Sequence, residues 1–173
     1  MGLNQRQKVF LLSTGGTIEK TYDEEDGELA NRASVVVNRL VDKLRLPYTS
    51  VQLDVVMAKD SLEMTDQDRA NILAAVKARL GKEIAVVILH GTDTMELTAK
   101  YLLDNIPSPD VPIILTGAMR PLEFENSDAM QNVTEALMVA RLVEPGVYIS
   151  FHNKLFKIPG VRKNRKAGTF EEC

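Results

Sequence analysis

The sequence predicts an α/β fold in three layers, a mostly parallel sheet flanked by helices. Two observations predict it. Short apolar runs alternate with longer amphipathic ones along the chain, the pattern of successive βαβ units. One short run, Ile84-Ala85-Val86-Val87-Ile88-Leu89, is apolar without interruption, as a strand covered on both faces must be. A length of 173 residues suits a single domain over 1–173, and a chain of that size buries roughly 70% of its unfolded surface.

The elements follow in order. Val9-Phe10-Leu11-Leu12 gives a first strand at Lys8–Leu12, closed by Gly15-Gly16. Residues 13–33, Ser13 to Ala33, are rich in Gly, Asp and Glu and fit neither helix nor strand. So long a loop in a compact domain suggests a functional lid. A helix is expected at Val35–Leu46 and a strand at Ser50–Ala58. The next helix, Asp66–Leu80, has a start signal in Thr65 with Asp68, a capping box with Asp in place of the usual Glu or Gln, and a stop signal in Gly81. The buried strand Ile84–Leu89 is followed by a helix at Met95–Leu103 and a strand at Pro112–Thr116. In the helix Asp128–Leu142, residues Ala129, Met130, Val133, Ala136, Leu137 and Ala140 fall on one stripe, which marks core. Val147–Phe151 is the last main strand, with Lys154–Ile158 as a hairpin partner. The remainder, 159–173, is basic at Arg162, Lys163, Arg165 and Lys166, and its composition alone reads as a solvated terminus.

The net charge of −3 offers no basic field for nucleic acid. Cys173 is the one cysteine, so no disulfide framework of the secreted type exists. No apolar run approaches the ~18 residues of a membrane span, and the first apolar run is too short for a signal peptide. These features predict a cytoplasmic protein with a small-molecule substrate and no nucleic-acid or membrane partner.

Ligands of open α/β sheets bind beyond the carboxyl ends of the strands. After the first four strands come Thr14-Gly15-Gly16-Thr17, Lys59-Asp60-Ser61, His90-Gly91-Thr92-Asp93-Thr94 and Gly117-Ala118-Met119-Arg120-Pro121; after the last comes the basic tail. Gly15-Gly16-Thr17 lacks the spacing of a phosphate loop. It suits either a plain strand-to-loop turn or a hydroxyl nucleophile held beside free backbone donors. Asp93 or Thr94 could cap the helix that follows, and a helix start also favours developing negative charge. A threonine hydroxyl needs a base to become a nucleophile. His90 and His152 read as structural, hydrogen-bonded residues, and neither they nor any acidic cluster has zinc-ligand spacing. Lys163, paired with Asp93, is the candidate proton acceptor through a second hydroxyl.

Four stretches resemble the bacterial-type L-asparaginase family: Ser13-Thr14-Gly15-Gly16-Thr17-Ile18, Asp60-Ser61-Leu62-Glu63-Met64-Thr65, His90-Gly91-Thr92-Asp93-Thr94-Met95-Glu96, and Leu115-Thr116-Gly117-Ala118-Met119-Arg120-Pro121. The resemblance runs over nearly the whole chain. It implies Thr17 as the nucleophile that forms an acyl-enzyme, and Thr92 with Asp93 as the second threonine and its carboxylate. It implies Lys163 as the partner of that Asp, with Lys166 as an alternative register, and Tyr22 as a mobile tyrosine over the nucleophile. Gly16, Asp60, Ser61, Gly91, Thr92 and Asp93 are the implied substrate contacts; no cofactor or metal is implied. Longer members continue into a second, smaller α/β domain, so the resemblance is to a short, single-domain form. A homo-oligomer, dimer or tetramer, is implied as well. The expected reaction is hydrolysis of L-asparagine to L-aspartate and ammonia. A glutaminase-asparaginase or other ω-amidase, a non-catalytic Asn/Asp-binding module and a component of a larger amidotransferase are the alternatives.

Overall fold

A computed structural model describes residues 6–31, 33–81 and 85–173, with side chains outside 33–37. The strands are β1 (Gln7–Gly15), β2 (Lys20–Asp23), β3 (Glu28–Asn31), β4 (Thr49–Lys59), β5 (Ala85–Leu89), β6 (Pro112–Thr116), β7 (Gly146–Phe151), β8 (Lys154–Lys157), β9 (Val161–Asn164) and β10 (Thr169–Glu172). The helices are α1 (Ala33–Lys43), α2 (Asp66–Lys77), α3 (Met95–Asn105) and α4 (Ala129–Val139). The main sheet has the order β4-β1-β5-β6-β7-β8. Its first five strands are parallel and β8 returns antiparallel to β7. That return is a two-residue turn with both central residues, His152 and Asn153, at positive φ (46° and 62°), the geometry that matches strand twist.

Alternation along the strands explains the layers. Val86, Ile88, Ile113 and Leu115 face Ile72 and Val76 of α2 and Met95 and Leu102 of α3. Their sequence neighbours Val87, Leu89 and Ile114, with Val9 and Leu11, face Leu40 of α1 and Val133, Ala136 and Leu137 of α4. Each fully buried aliphatic side chain contributes about 1.5–3 kcal/mol. The stripe expected on the last helix is thus its core face.

Several expectations need correction. Residues 13–33 hold a short 3₁₀ turn at Thr17–Glu19 and the β2–β3 hairpin, and α1 begins at Ala33. The tail is the β9–β10 hairpin, whose Val161 and Phe170 are buried in the core below α3. The capping box at Thr65 and Asp68 forms, but α2 ends at Lys77 and Gly81 (φ 73°) lies in the turn beyond. The first and last helices, expected to reach Leu46 and Leu142, end at Lys43 and Val139, about a turn earlier. Ile84 lies outside the described residues. No helix among the described residues is long and apolar enough to cross a membrane.

Candidate active site

The chain runs from β1 to β4 on one side of it and then to β5 on the other. The sheet therefore reverses direction at β1, and the crevice for a ligand opens beyond the carboxyl ends of β1 and β5. Three loops close on that point. Gly16 N–H donates to the Lys59 carbonyl at 2.9 Å, and the Thr14 hydroxyl donates to the Leu89 carbonyl at 2.7 Å. Thr94 Oγ1 donates to the Ser61 carbonyl at 2.9 Å. That bond replaces the helix cap expected of Thr94, which makes no side-chain capping bond to α3.

Glycine makes this approach possible. Gly16 sits at φ 90°, ψ −178°, a conformation closed to other residues, and a Cβ there would lie 2.5 Å from Gly91 Cα and N. A Cβ on Gly91 would lie 2.6 Å from Ser61 Oγ. Thr17 and Thr92 thus follow two backbones in direct contact. Thr17 opens the 3₁₀ turn, half-buried, and its hydroxyl has no hydrogen-bond partner among the described residues. Ser61 is buried and its hydroxyl is also unpartnered.

The β9–β10 hairpin delivers the cation. Lys163 Nζ donates to Thr92 Oγ1 at 2.7 Å and to Asp93 Oδ1 at 3.1 Å, with the lysine side chain 13% exposed. Lys166 is exposed in the hairpin turn instead. Asp60 is held by Lys20 Nζ at 2.8 Å and by Leu62 N–H at 3.1 Å, and the Lys20 bond keeps its carboxyl below the usual range. Tyr22 lies on β2, 60% exposed, and a Cβ at Gly27 would stand 3.8 Å from its hydroxyl, so that hydroxyl lies by the hairpin turn.

Both histidines are tied into the fold. His90 is fully buried, and burial pushes its pKa down to about 4, so it is neutral at pH 7. Its Nδ1 donates to the Gly91 carbonyl, and Nε2 accepts from the Thr98 hydroxyl, each at 2.8 Å. His152 bridges Asp128 (2.8 Å) and Thr169 (3.1 Å), anchoring the β9–β10 hairpin. The 117–121 loop turns the same way, giving the Met119 and Arg120 N–H groups to Asp128. No group of three or more His, Cys, Asp or Glu side chains among the described residues could hold a metal ion.

Sequence reasoning gave no site role to four charged residues: Lys20, which holds Asp60, and three more. Arg165 Nη2 lies 2.6 Å from Asp93 Oδ1. Glu96, on the first turn of α3, has a buried Oε2 with no partner among the described residues, and burial raises its pKa. Glu19, two residues after Thr17, is fully buried and accepts from the Ser13 hydroxyl; burial raises its pKa to about 7. Nearness in sequence to Thr17 and Asp93 was the signal for Glu19, Lys20 and Glu96, whereas the composition of the tail reads Arg165 as solvated.

The fold and site define a doubly wound α/β domain with a hydroxyl–lysine–carboxylate cluster at its reversal point. The family model for the asparaginase N-terminal domain matches residues 8–171, and the chain belongs to the asparaginase family. It is 32% identical over 161 residues to an L-asparaginase of Thermococcus kodakarensis, covering 93% of this chain and 49% of that protein. The solved structure of the thermostable L-asparaginase from that organism superposes with a TM-score of 0.88, covering 96% of this chain and 51% of the other. One component of the glutamyl-tRNA(Gln) amidotransferase of Methanococcus vannielii is 33% identical over 156 residues, covering 86% of this chain and 35% of that one. The chain spans about half the length, or less, of the curated relatives it matches.

Proposed function

We propose that the chain carries the catalytic residues of an amidohydrolase that releases ammonia from the ω-amide of a small carboxylic acid, L-asparagine being the first substrate to test. The observation that carries this reading is the Lys163 contact with both Thr92 Oγ1 and Asp93 Oδ1. A hydroxyl held by a lysine that is itself oriented by a carboxylate is a proton relay. Thr17 Oγ attacks the amide carbon and its proton enters the relay. The C–N bond breaks as that proton passes to the leaving nitrogen, giving ammonia and a threonyl ester. Water then attacks the ester carbon, the acid leaves, and Thr17 regains its proton. With the Gly16 N–H given to Lys59 and the Gly15 N–H to Glu19, the Thr17 N–H is the backbone donor of this turn that serves the oxyanion. The Asp93 carboxylate holds Lys163 in line, and Gly91 leaves Ser61 room beside the substrate. Tyr22, on its exposed hairpin, is the group that would close over Thr17.

Thr17→Val keeps the shape of the turn and removes the hydroxyl. Ammonia release from L-asparagine and L-glutamine by wild type and Thr17→Val is the test. Turnover by the wild type that the variant lacks is the expected result; turnover at the wild-type rate in the variant refutes the assignment. The amidotransferase relatives favour a second reading, the amidohydrolase component of an amidotransferase. The same assay separates the two by whether glutamine is the better substrate. One methylene is worth only about 1–3 kcal/mol in a pocket. Assembly into a homo-oligomer belongs to the same proposal and is read by sedimentation.

A further inference from the structure

Beyond β6 and β7, at the same end of the sheet, lies a second cavity of about 330 Å³, lined by Arg120, Asn126, Asp128, His152 and Gly168. None of these residues takes part in the chemistry at Thr17. Asp128 collects donors on both carboxylate oxygens: the Met119 and Arg120 N–H groups, Asn132 Nδ2 at 2.9 Å and the His152 ring at 2.8 Å. A carboxylate so surrounded only accepts. His152 Nε2 therefore carries a proton, and the neutral ring presents Nδ1 as an acceptor. The group on Nδ1, at 3.1 Å, is the Thr169 hydroxyl, which therefore donates. Hydroxyl, imidazole and carboxylate stand in the order of a hydrolytic triad, with the two ring nitrogens exchanged relative to the serine proteases. The ring is fixed: it lies 4.4 Å from Phe151, centroid to centroid, and the His152 N–H donates to Asn132 Oδ1 at 3.1 Å. Tying down a hairpin needs these bonds but no opening onto a cavity, yet the His152 side chain is 31% exposed and Thr169 is only half-buried. Arg120 is exposed and makes no ion pair among the described residues, so its guanidinium can take an anion.

We propose that Thr169, His152 and Asp128 form a second hydrolytic centre, for small carboxylic esters whose acyl chain ends in a carboxylate held by Arg120. Thr169 Oγ bonds to the acyl carbon as its proton passes to His152 Nδ1. The ester C–O bond breaks, and that proton leaves with the alcohol. Water then gives a proton to Nδ1 and its oxygen to the acyl carbon; the acid departs and Thr169 regains the proton. Each turnover consumes one water and needs no other reactant.

The probes are the p-nitrophenyl monoester of succinate and, as its uncharged counterpart, p-nitrophenyl acetate. Release of p-nitrophenolate by the intact chain is followed over many equivalents. Sustained turnover is expected, falling by about 100-fold or more in Thr169→Val. Thr169→Ser keeps the hydroxyl and keeps turnover, which separates lost chemistry from lost folding. Thr17→Val separates the two centres: ester turnover persists in it while ammonia release is lost. Arg120→Ala raises KM for the succinyl ester by about fivefold, the size of one exposed charge contact, and leaves KM for the acetyl ester unchanged. Mass spectrometry of protein quenched during turnover finds the acyl group on the peptide that carries Thr169. Turnover in Thr169→Val equal to wild type overturns the proposal, as does its loss in Thr169→Ser or in Thr17→Val. Release that stops at one equivalent, or an acyl group found on lysine alone, overturns it too. An equal change in KM for both esters in Arg120→Ala overturns the substrate class.

Discussion

Replacing Gly16 with alanine tests the geometry on which the site depends. At φ 90°, ψ −178° the backbone is in a region essentially confined to glycine, and a non-glycine residue there costs about 1–3 kcal/mol. The new Cβ would also stand 2.5 Å from Gly91 Cα and N and 3.1 Å from the His90 carbonyl carbon. These are backbone atoms at the end of a buried strand, so no rotamer change relieves the clash. The turn must move, which adds overpacking strain of about 1–3 kcal/mol and breaks the Gly16–Lys59 bond, worth about 1 kcal/mol. The expected loss is roughly 4 kcal/mol, and at about 2–4 °C per kcal/mol for a chain of this size the melting temperature falls by about 12 °C. Gly168→Ala is the control. It also has positive φ, 62°, but a Cβ there meets nothing within 4 Å. It carries left-handed strain alone, about 1–2 kcal/mol, and melts about 3–6 °C lower than wild type. Thermal melts followed by circular dichroism read both. Ammonia release reads the site: a shift of about 1 Å at Thr17 costs about 100-fold, while Gly168→Ala leaves turnover near normal. A Gly16→Ala protein that melts within a degree or two of Gly168→Ala, with equal turnover, would refute the reasoning.

Two further outcomes are expected. Lys163→Met removes the contacts to Thr92 and Asp93 but leaves Asp93 its ion pair with Arg165. Ammonia release should fall by about 100- to 10,000-fold while the fold melts within a few degrees of wild type, and kcat within threefold of wild type would remove Lys163 from the relay. Glu19→Gln probes the buried carboxyl beside the Thr17 turn. Its pKa rises on folding from 4.5 to about 7, so the native state binds the proton more tightly than the unfolded chain. Stability contributed by that proton is complete below pH 4.5, falls as pH rises, and is gone above about pH 7, a loss of roughly 3 kcal/mol. Glutamine keeps the Ser13 bond without the charge, so urea melts should show Glu19→Gln more stable than wild type at pH 8 and nearly equal at pH 4. Equal stability at both would mean the carboxyl is ionised without penalty.

The parts of the fold that were legible are those with a core-facing period. Strands β1, β4, β5, β6 and β7 and the helices α1 to α4 announce themselves because one face, or both, must be apolar. The two hairpins do not. In β2 and β3 the residues Lys-Thr-Tyr-Asp and Glu-Leu-Ala-Asn pair mainly with each other and carry no apolar alternation. The Asp26-Gly27 turn between them, with Gly27 at φ 68°, was the available signal, a dipeptide that favours hairpins. The tail misleads for the same reason: in β9 and β10 only Val161 and Phe170 reach the core, and the intervening charges pair across the ribbon, as Arg162 does with Glu171. Charge in sequence reads as solvation, whereas here it places Lys163 and Arg165 on Asp93.

The candidate site was legible to the extent that strand ends define it, and strand order decides the rest. Knowing which residues follow each strand does not say which loops meet. The order β4-β1-β5 makes the loops after those three strands neighbours, so Ser61, Thr17 and Thr92 share one crevice. The loop after β6 also ends beside β5, and Gly117 packs closely enough on His90 that a Cβ would lie 2.3 Å from its carbonyl oxygen. Yet Met119 and Arg120 turn to Asp128, because that half-buried carboxylate takes their N–H groups and the His152 ring together. The same Asp128–His152–Thr169 chain ties the β9–β10 hairpin to the sheet. It therefore fixes where Lys163 can reach, though none of its three residues belongs to the motifs around the hydroxyls.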